Sequence, residues 1–363
     1  MNTRARLIHP PALFVLLAVW SRASADECCK MPDLRQVGEA RENGRLTVGV
    51  GYGFTQTDGL QKGTHSLSQG EALNRYHSRP TEMTSHRIET YATYAFSPAY
   101  ELTLALPWLY NTMTMQSFMS DHSTCGLDGA FIRRYQGKGF THKMGPVEGF
   151  GDLLLEGSVR LWAEGEEKTG RHQLFFRPGL KTPTGNYKVT DSGTHSIRTP
   201  YGMREMKHGG GYVDPCMQLG SGSWDPIAQL GYRLNRDRLA LDVVTGYQMA
   251  TRNSLGYEAG DTASVGLYPS YQLFSRLRLV TGLRHRHVQS SDDHGGRYSD
   301  PETLTKDTAN TGGEFSEALL ALDLQPFETV SFNIGVSVPV WSDLNGMQMT
   351  PSELYTCGAS VRF

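Results

Sequence analysis

The sequence predicts an all-β fold: a transmembrane, antiparallel, up-and-down β-barrel of about twelve strands, with long extracellular loops and short periplasmic turns. Three observations predict it. Apolar and polar side chains alternate with a period of two over segments of about 9–11 residues, the length that a tilted membrane strand needs. Short and long connections alternate between these segments. The chain ends on Phe363, which closes the last alternating segment.

The start of the chain has the pattern of an export signal. Arg4 and Arg6 precede an apolar run over residues 12–20, and Ala23-Ser24-Ala25 supplies a small-x-small cleavage site. The run is shorter than the ~20 residues of a spanning helix, so it indicates a secretory signal peptide. The predicted division is a signal peptide (1–25), a short periplasmic N-terminal segment (26–44) and an outer-membrane β-barrel (45–363).

The first strand shows the alternation most clearly. From Leu46 to Phe54 every second side chain is apolar, and the residues between them are Thr or Gly. One face therefore suits lipid and the other a small, polar interior. The same pattern predicts strands over 46–55, 87–96, 102–110, 152–161, 173–181, 225–234, 239–248, 263–273, 277–283, 318–324, 330–340 and 355–363.

The connections between these strands alternate in length without exception. Bacterial barrels have short periplasmic turns and long external loops, so the pattern places both termini in the periplasm. The long connections are 57–84, 116–148, 186–219, 249–260, 288–312 and 342–352, and the short ones are 97–100, 163–170, 235–238, 274–275 and 326–328.

Composition excludes two other classes of protein. Mean hydropathy is −0.42 and 20% of residues are charged, which does not suit a helical membrane protein. Mean hydropathy does not exclude a membrane β-barrel, because a barrel strand exposes only every second side chain to lipid. A net charge of −2 without a basic patch predicts no nucleic-acid partner. A water-soluble β-sandwich would alternate too, but it would bury its apolar face and expose the polar one.

The C-terminal segment predicts partners and location. The alternation from Tyr355 to Phe363 resembles the C-terminal assembly signal of bacterial outer-membrane barrels. This resemblance implies residence in the bacterial outer membrane, contact with outer-membrane lipid, and recognition of Phe363 by the barrel-assembly machinery.

The face opposite the apolar one carries charges of both signs. A barrel of about eight strands is filled by side chains and one of 16–18 leaves a channel, so twelve strands should enclose a narrow, partly occupied pore for a small-molecule solute. An internal salt-bridge network that only stabilises the barrel is the alternative role. The predicted channel-lining residues are Arg87, Glu89, Asp152, Glu156, Arg160, Arg177, Lys181, Asp225, Gln229, Arg233, Asp242, Arg276, Arg278, Arg284, Glu317 and Asp323.

Three segments carry a resemblance to a known family. They are Gly149-Phe150-Gly151-Asp152-Leu153, the run from Arg177 through Lys181-Thr182-Pro183-Thr184-Gly185, and Gly220-Ser221-Gly222-Ser223-Trp224-Asp225-Pro226. They resemble the outer-membrane barrel family named for phenol meta-pathway degradation operons. The resemblance implies a barrel that passes small compounds, hydrophobic or aromatic ones among them. Their Gly and Pro residues are typical of strand ends and favour rim features over ligand sites.

Soft metal ligands suggest a first alternative, an outer-membrane component of copper-like metal handling or electron transfer. Thioether, imidazole and thiolate groups together select copper, but no fixed ligand spacing occurs, so no cofactor is predicted. The competing interpretation is that Met113 and Met115 continue an outward-facing strand. The candidate ligands are Cys28, Cys29, Met113, Met115, Met119 and His122; Cys125 and Cys216, in adjacent long loops, could form a disulfide.

A second alternative is a lipid hydrolase at the rim, and a third is a purely structural or adhesive barrel. His285 and His287 continue an outward-facing strand, and Ser290 and Ser291 follow them. No partner motif accompanies these residues, so the sequence predicts a protein that is not an enzyme. The favoured interpretation is passive or facilitated passage of small solutes through the charged lumen.

Overall fold

Twelve antiparallel strands form a closed barrel in the part of the chain that the computed structural model describes, residues 20–21, 32–33, 46–68, 71, 76, 78–117, 140–164, 170–191, 194–199, 202–207, 211–300 and 303–363. The strands are β1 (Leu46–Asp58), β2 (Ser78–Ser97), β3 (Tyr100–Ser117), β4 (Leu154–Ala163), β5 (His172–Lys181), β6 (Asp225–Arg236), β7 (Leu239–Gln248), β8 (Thr262–Phe274), β9 (Leu277–Val288), β10 (Gly313–Phe327), β11 (Val330–Met349) and β12 (Leu354–Arg362).

Each strand pairs with its neighbours in chain order, and β12 closes the ring on β1. In that closing ladder Tyr355 lies opposite Phe54 and Val361 lies opposite Val48. Closure gives each of the twelve barrel strands a partner on both sides, which is the requirement for a sheet surrounded by lipid. The predicted strand number and the up-and-down order are therefore confirmed.

The connections contain further short elements. The shorter strands are Trp20–Ser21, Pro32–Asp33, Leu60–Gly63, His65–Leu67, Phe140–Phe150, Thr194–Thr199, Gly202–Lys207, Tyr257–Glu258 and Asp292–Asp293, and the 3-10 turns are Pro215–Met217, Leu304–Lys306 and Thr308–Asn310. Phe140–Phe150 pairs with the far end of β3. The end of the barrel that carries the long connections is called the outer end below.

Three of the long connections are shorter than the sequence predicted, because the neighbouring strands extend into them. Residues 78–84 belong to β2, residues 116–117 to β3, and residues 342–349 to β11. Alternation weakens there because bulges interrupt the pairing, as between Pro80 and Glu82. The wall consequently rises beyond the length that a membrane requires.

The two faces of the wall have the polarity of a membrane barrel. Val48 is 43% exposed and Leu283 is 58% exposed, whereas the guanidinium-bearing Arg177 is 2% exposed. A water-soluble β-protein would show the opposite distribution, so the sandwich alternative does not apply. Among the described residues, no helix is long and apolar enough to cross a membrane.

Two inward tyrosines lie flat against glycines of the wall. A Cβ atom added at Gly49 would meet the ring of Tyr91 at 2.3 Å, and one added at Gly282 would meet Tyr268 at 2.4 Å. Larger residues at these glycines would push the rings into the lumen. The glycine-rich inward face of β1 therefore makes room for aromatic side chains from its neighbour.

A charge on the outward face tests the membrane-facing band. Replacing Leu320, at the middle of β10, with Arg should lower the free energy of unfolding by about 2–4 kcal/mol, because the charge loses its hydration at the membrane midplane. The same change at Leu277, the first residue of β9, should cost about 0–1 kcal/mol. Urea titration of protein folded into lipid vesicles measures both. Equal costs at the two positions would contradict the assignment of the band.

Candidate channel and its outer rim

With one exception, the residues predicted to line a channel lie at inward-facing positions of the strands or next to the outer ends of the strands. The exception is Arg276, which lies in the turn before β9 and is exposed. The sequence pattern placed Arg276 on the same face as Arg278 because the two are an even number of residues apart. That rule holds only within a strand, and Arg276 lies in a turn. With Arg278 and Asp323 it borders a pocket of about 10 Å³ at the periplasmic end, room for about one water molecule.

One side of the lumen contains buried charge pairs toward its periplasmic end. Arg233 on β6 and Asp242 on β7 are opposite each other in the ladder and form two parallel hydrogen bonds of 2.7 and 2.8 Å. Arg177 on β5 lies beside this pair and is attracted by Glu156 on β4. Bidentate arginine–carboxylate pairs hold both partners in one geometry. These buried side chains project into the lumen.

On the other side, β9 and β10 carry a second group of charges. Arg284 and Arg286 on β9 both contact Glu317 on β10, and Arg278 lies opposite Asp323 nearer the periplasmic end. Arg286 was missed by the sequence analysis, although its even spacing from Arg284 places it on the same face. The predicted strand ended at residue 283, three residues before Arg286.

The three segments with the family resemblance meet at the outer rim. The Asp152 carboxylate accepts hydrogen bonds from the backbone N–H of Gly185 at 2.9 Å and of Ser221 at 2.8 Å, and from the Ser221 hydroxyl at 2.9 Å. Lys181 lies between Asp152 and Asp225. Segments far apart in sequence therefore share one buried polar cluster, which we call the rim lock.

Close backbone approach explains the glycines of the rim lock. A Cβ atom at Gly185 would lie 2.9 Å from the Cα of Gly220 and 2.9 Å from the carbonyl carbon of Gly151. Leu153 donates its N–H to the Thr184 hydroxyl at 2.7 Å. The lock fixes where β4 begins and where β5 ends, and it turns the connection after β5 back over the lumen.

Beyond the lock, the connection between β5 and β6 contributes to an apolar cluster rich in methionine. Met83 on β2 lies opposite Met113 on β3, which lies opposite Met144 on the strand Phe140–Phe150. Met217, from the 3-10 turn, and Met349, from β11, are buried in the same group. We call these five residues and their neighbours the methionine cluster; it occupies the outer end of the lumen. The remaining buried members are Leu60, Tyr76, Met115, Val147, Val213, Cys216, Leu219 and Leu304.

The interpretation of Met113 and Met115 as outward-facing was wrong. Both are 1% exposed and lie in the methionine cluster. Outward positions of β3 have even numbers, as Leu104 and Trp108 show, so odd-numbered methionines point inward. The same parity could have identified Met83 and Met144 as members of one group.

The metal and disulfide predictions fall partly outside the described residues. Cys28, Cys29, Met119, His122 and Cys125 all lie there. Cys216 is buried in the methionine cluster, and the predicted Cys125–Cys216 disulfide stays a prediction. In the described part of the chain, no group of three His, Cys, Asp or Glu side chains could hold a metal ion.

Contacts between loops hold the outer end together. Tyr298 packs against Tyr212 and Tyr257 with ring centroids 5.2 Å apart in both pairs, and it donates a hydrogen bond to the backbone oxygen of Tyr187. Nearby, Thr305 donates to the Asp214 carboxylate at 2.5 Å. Burial raises the pKa of the Asp214 carboxyl, and the ammonium group of Lys306, 3.6 Å away, opposes that shift.

The histidines of the hydrolase alternative contact different residues from those expected. His285 Nδ1 lies 3.0 Å from the Ser316 hydroxyl, and Glu314 contacts both His285 and His287. A serine hydrolase also needs hydrogen-bond donors for the oxyanion. The backbone N–H groups of β9 and β10 at this level belong to ladders on both sides. We therefore interpret these contacts as joining β9 to β10 at the rim.

Ser290 and Ser291, which the sequence placed beside the histidines, bond elsewhere. The Ser290 hydroxyl donates to the backbone oxygen of Thr311 at 3.1 Å, and the Ser291 N–H donates to the Thr311 hydroxyl at 2.8 Å. Both serines thus tie the end of β9 to the start of β10.

Comparison with known proteins finds solved structures of outer-membrane barrels with a similar fold. No protein-family model matches the chain, and no curated protein matches its sequence. An outer-membrane channel from Pseudomonas putida F1 is 16% identical, covers 91% of this chain and 100% of its own, and has a TM-score of 0.56. This likeness shows a shared fold. The Ralstonia pickettii toluene transporter TbuX (8% identical, 89% and 90% covered) has a TM-score of 0.45, and a Pseudomonas aeruginosa FadL homologue (7%, 88% and 91%) has 0.43.

The rim lock should make a large contribution to stability. Replacing Asp152 with Ala leaves the Lys181 ammonium with one carboxylate fewer and removes the acceptor of three hydrogen bonds, so the free energy of unfolding should fall by about 3–5 kcal/mol. Asp58→Ala, at an exposed carboxylate at the end of β1, should change it by less than about 0.5 kcal/mol. Urea titration in vesicles compares them. A loss below 1 kcal/mol at Asp152 would refute the role of the lock.

The raised pKa of Asp214 predicts a pH-dependent loop contact. The folded state favours the neutral carboxyl, so its stabilising contribution is complete below the unfolded pKa of about 3.9 and is lost as pH rises through the higher folded value. The Met217 amide, which donates to the Asp214 backbone oxygen, should be better protected from hydrogen exchange at acid than at neutral pH, after correction for intrinsic rates. Asp214→Asn should remove this dependence; an unchanged dependence would exclude Asp214 as its source.

Proposed function

We propose that the protein is a bacterial outer-membrane channel for passive or facilitated passage of small solutes, hydrophobic and aromatic compounds among them. One observation carries the proposal: an inverted barrel, apolar outside and polar inside, whose outer end is filled by the methionine cluster. A solute from outside would meet thioethers before the charged side chains that lie deeper in the lumen.

Methionine suits this position because of its chemistry. Its side chain is unbranched and polarizable, it adapts to irregular shapes, and sulfur makes favourable contacts with aromatic rings. Met83, Met113 and Met144 lie on three adjacent strands, so they form a continuous apolar surface across the wall. Such a surface favours an aromatic solute over a sugar of similar size.

The charged side chains of the lumen support a selective pathway below the cluster. Their pairing, as in Arg233 with Asp242, leaves the walls polar without a strong single sign of charge. The side chains proposed to line the pathway are Arg87, Glu89, Asp152, Glu156, Arg160, Arg177, Lys181, Asp225, Gln229, Arg233, Asp242, Arg278, Arg284, Glu317 and Asp323, with Arg276 at its periplasmic mouth.

The same proposal covers export and assembly. Residues 1–25 would direct export, 26–44 would lie in the periplasm, and the barrel-assembly machinery would recognise the terminal strand. Phe363 is 68% exposed and donates its N–H to the Leu46 oxygen at 2.8 Å, so the terminal aromatic lies at the closing seam. The convergence of the three resembling segments in the rim lock supports a relationship to the phenol meta-pathway barrel family.

Single-channel recording in planar bilayers tests the function. The purified protein should give discrete conductance steps that phenol blocks and glucose at the same concentration does not. Copper ions should leave the steps unchanged. A silent barrel would overturn the proposal, and equal block by glucose would remove the preference for aromatic solutes.

Polar substitutions in the methionine cluster should weaken the block by phenol. The triple change Met83→Gln, Met113→Gln and Met144→Gln should raise the half-blocking concentration at least about fivefold, because each sulfur–aromatic contact is worth about 0.3–1.5 kcal/mol. Met249→Gln is the matched control, since Met249 is 44% exposed on the outside of the barrel. An equal effect of both variants would refute a specific role for the cluster.

A further inference from the structure

The charge group on β9 and β10 differs from the other pairs of the lumen because two arginines share one carboxylate. Arg284 Nε donates to Glu317 Oε2 at 2.8 Å, and Arg286 Nη2 donates to Glu317 Oε1 at 2.8 Å. Arg284 Nη2 also contacts Oε2. By contrast, Arg233 has the Asp242 carboxylate in a bidentate pair of its own.

Arg284 has a buried donor nitrogen without an acceptor among the described residues. Arg284 Nη1 is buried and makes no hydrogen bond to any described residue, while Nε and Nη2 are both occupied by Glu317. A guanidinium carries five N–H donors, and an unsatisfied buried charged donor costs free energy. The buried Nη1 of Arg284 therefore needs a hydrogen-bond acceptor that is not part of the protein, such as water or an anion.

Aromatic rings flank the arginines. The Phe315 ring centroid lies 5.0 Å from the Arg286 guanidinium carbon. Tyr268 is buried against Gly266, which lies opposite Arg284 in the β8–β9 ladder. Guanidinium groups bind carboxylates bidentately and stack on aromatic faces, so the site combines recognition of an anion with recognition of a ring.

We propose that Arg284 and Arg286, with Phe315 and Tyr268, form a subsite for small aromatic carboxylates inside the lumen. The solute's carboxylate accepts from Arg284 Nη1, and its ring packs against the flanking aromatic side chains. This inference rests on the proposed channel function and names a solute class within it. Glu317 competes with the solute for the same arginines and keeps their charge partly compensated when the subsite is empty.

Block of single-channel conductance by benzoate and by benzyl alcohol tests the subsite, because the two differ mainly in charge. In the wild-type protein at pH 7.5, benzoate should block at a concentration at least about tenfold lower, the effect of one charge-assisted hydrogen bond. Arg284→Gln should abolish this preference. Glu317→Gln should increase it, because a competing carboxylate is removed.

Arg238→Gln is the matched control, since Arg238 is exposed in the periplasmic turn between β6 and β7, lies outside the proposed pathway and should keep the wild-type preference. Heat-modifiable gel mobility confirms that each variant is folded. Absence of a preference in the wild type, or an unchanged preference in Arg284→Gln, would overturn the subsite. Water alone would then satisfy Nη1.

Failure of the subsite and failure of the channel give different results. Block by phenol without a preference for benzoate leaves the channel and removes the subsite. If the barrel is silent, thermal stabilisation of the detergent-solubilised protein by benzoate still tests binding. Stabilisation of the wild type but not of Arg284→Gln would support the subsite, and its absence would refute it.

Discussion

The structure depends on the requirement that every backbone N–H and C=O facing a membrane be paired within the protein. Lipid offers no hydrogen bonds, so a sheet can reside there only if its last strand returns to its first. The ladder between β12 and β1 meets this requirement. Closure in turn forces each strand to show one face to lipid and the other to a confined interior, and the period-two alternation of the sequence follows from it.

The narrowness of the closed barrel then determines which side chains can occupy its interior. Charged side chains that face a narrow lumen need partners, because leaving one buried charge unpaired is costly. Arg233 with Asp242, and Arg278 opposite Asp323, satisfy this need between adjacent strands. Tyrosines fit because glycines lie beneath them, as Gly282 lies beneath Tyr268. The interior is therefore divided into side-chain clusters of different chemistry, and a solute would meet them in order.

That order connects the fold to the proposed transport function. The methionine cluster lies at the outer end, the charge pairs lie farther toward the periplasmic end, and the rim lock holds the connection between β5 and β6 over the lumen. An apolar outer site followed by a polar, arginine-containing interior suits solutes that carry both a ring and a polar group. A solute that passes the cluster replaces contacts between methionine side chains with contacts to itself. The free-energy cost of this replacement is modest, because methionine side chains are flexible and adapt to different shapes.

The sequence by itself determined the fold class, the number of strands, the outward face and most of the inward charges, because side-chain parity in a strand is local and needs no knowledge of neighbours. The prediction failed at Arg276, because a turn residue does not follow the alternation of a strand. It also failed at Met113 and Arg286, which lie beyond the ends of the strands that the sequence predicted. Only the tertiary structure decided which residues meet across the lumen. Asp152, Gly185 and Ser221 become one cluster, and Arg284 and Arg286 share Glu317, because register and closure bring together segments whose separation in the chain carries no information about distance in space.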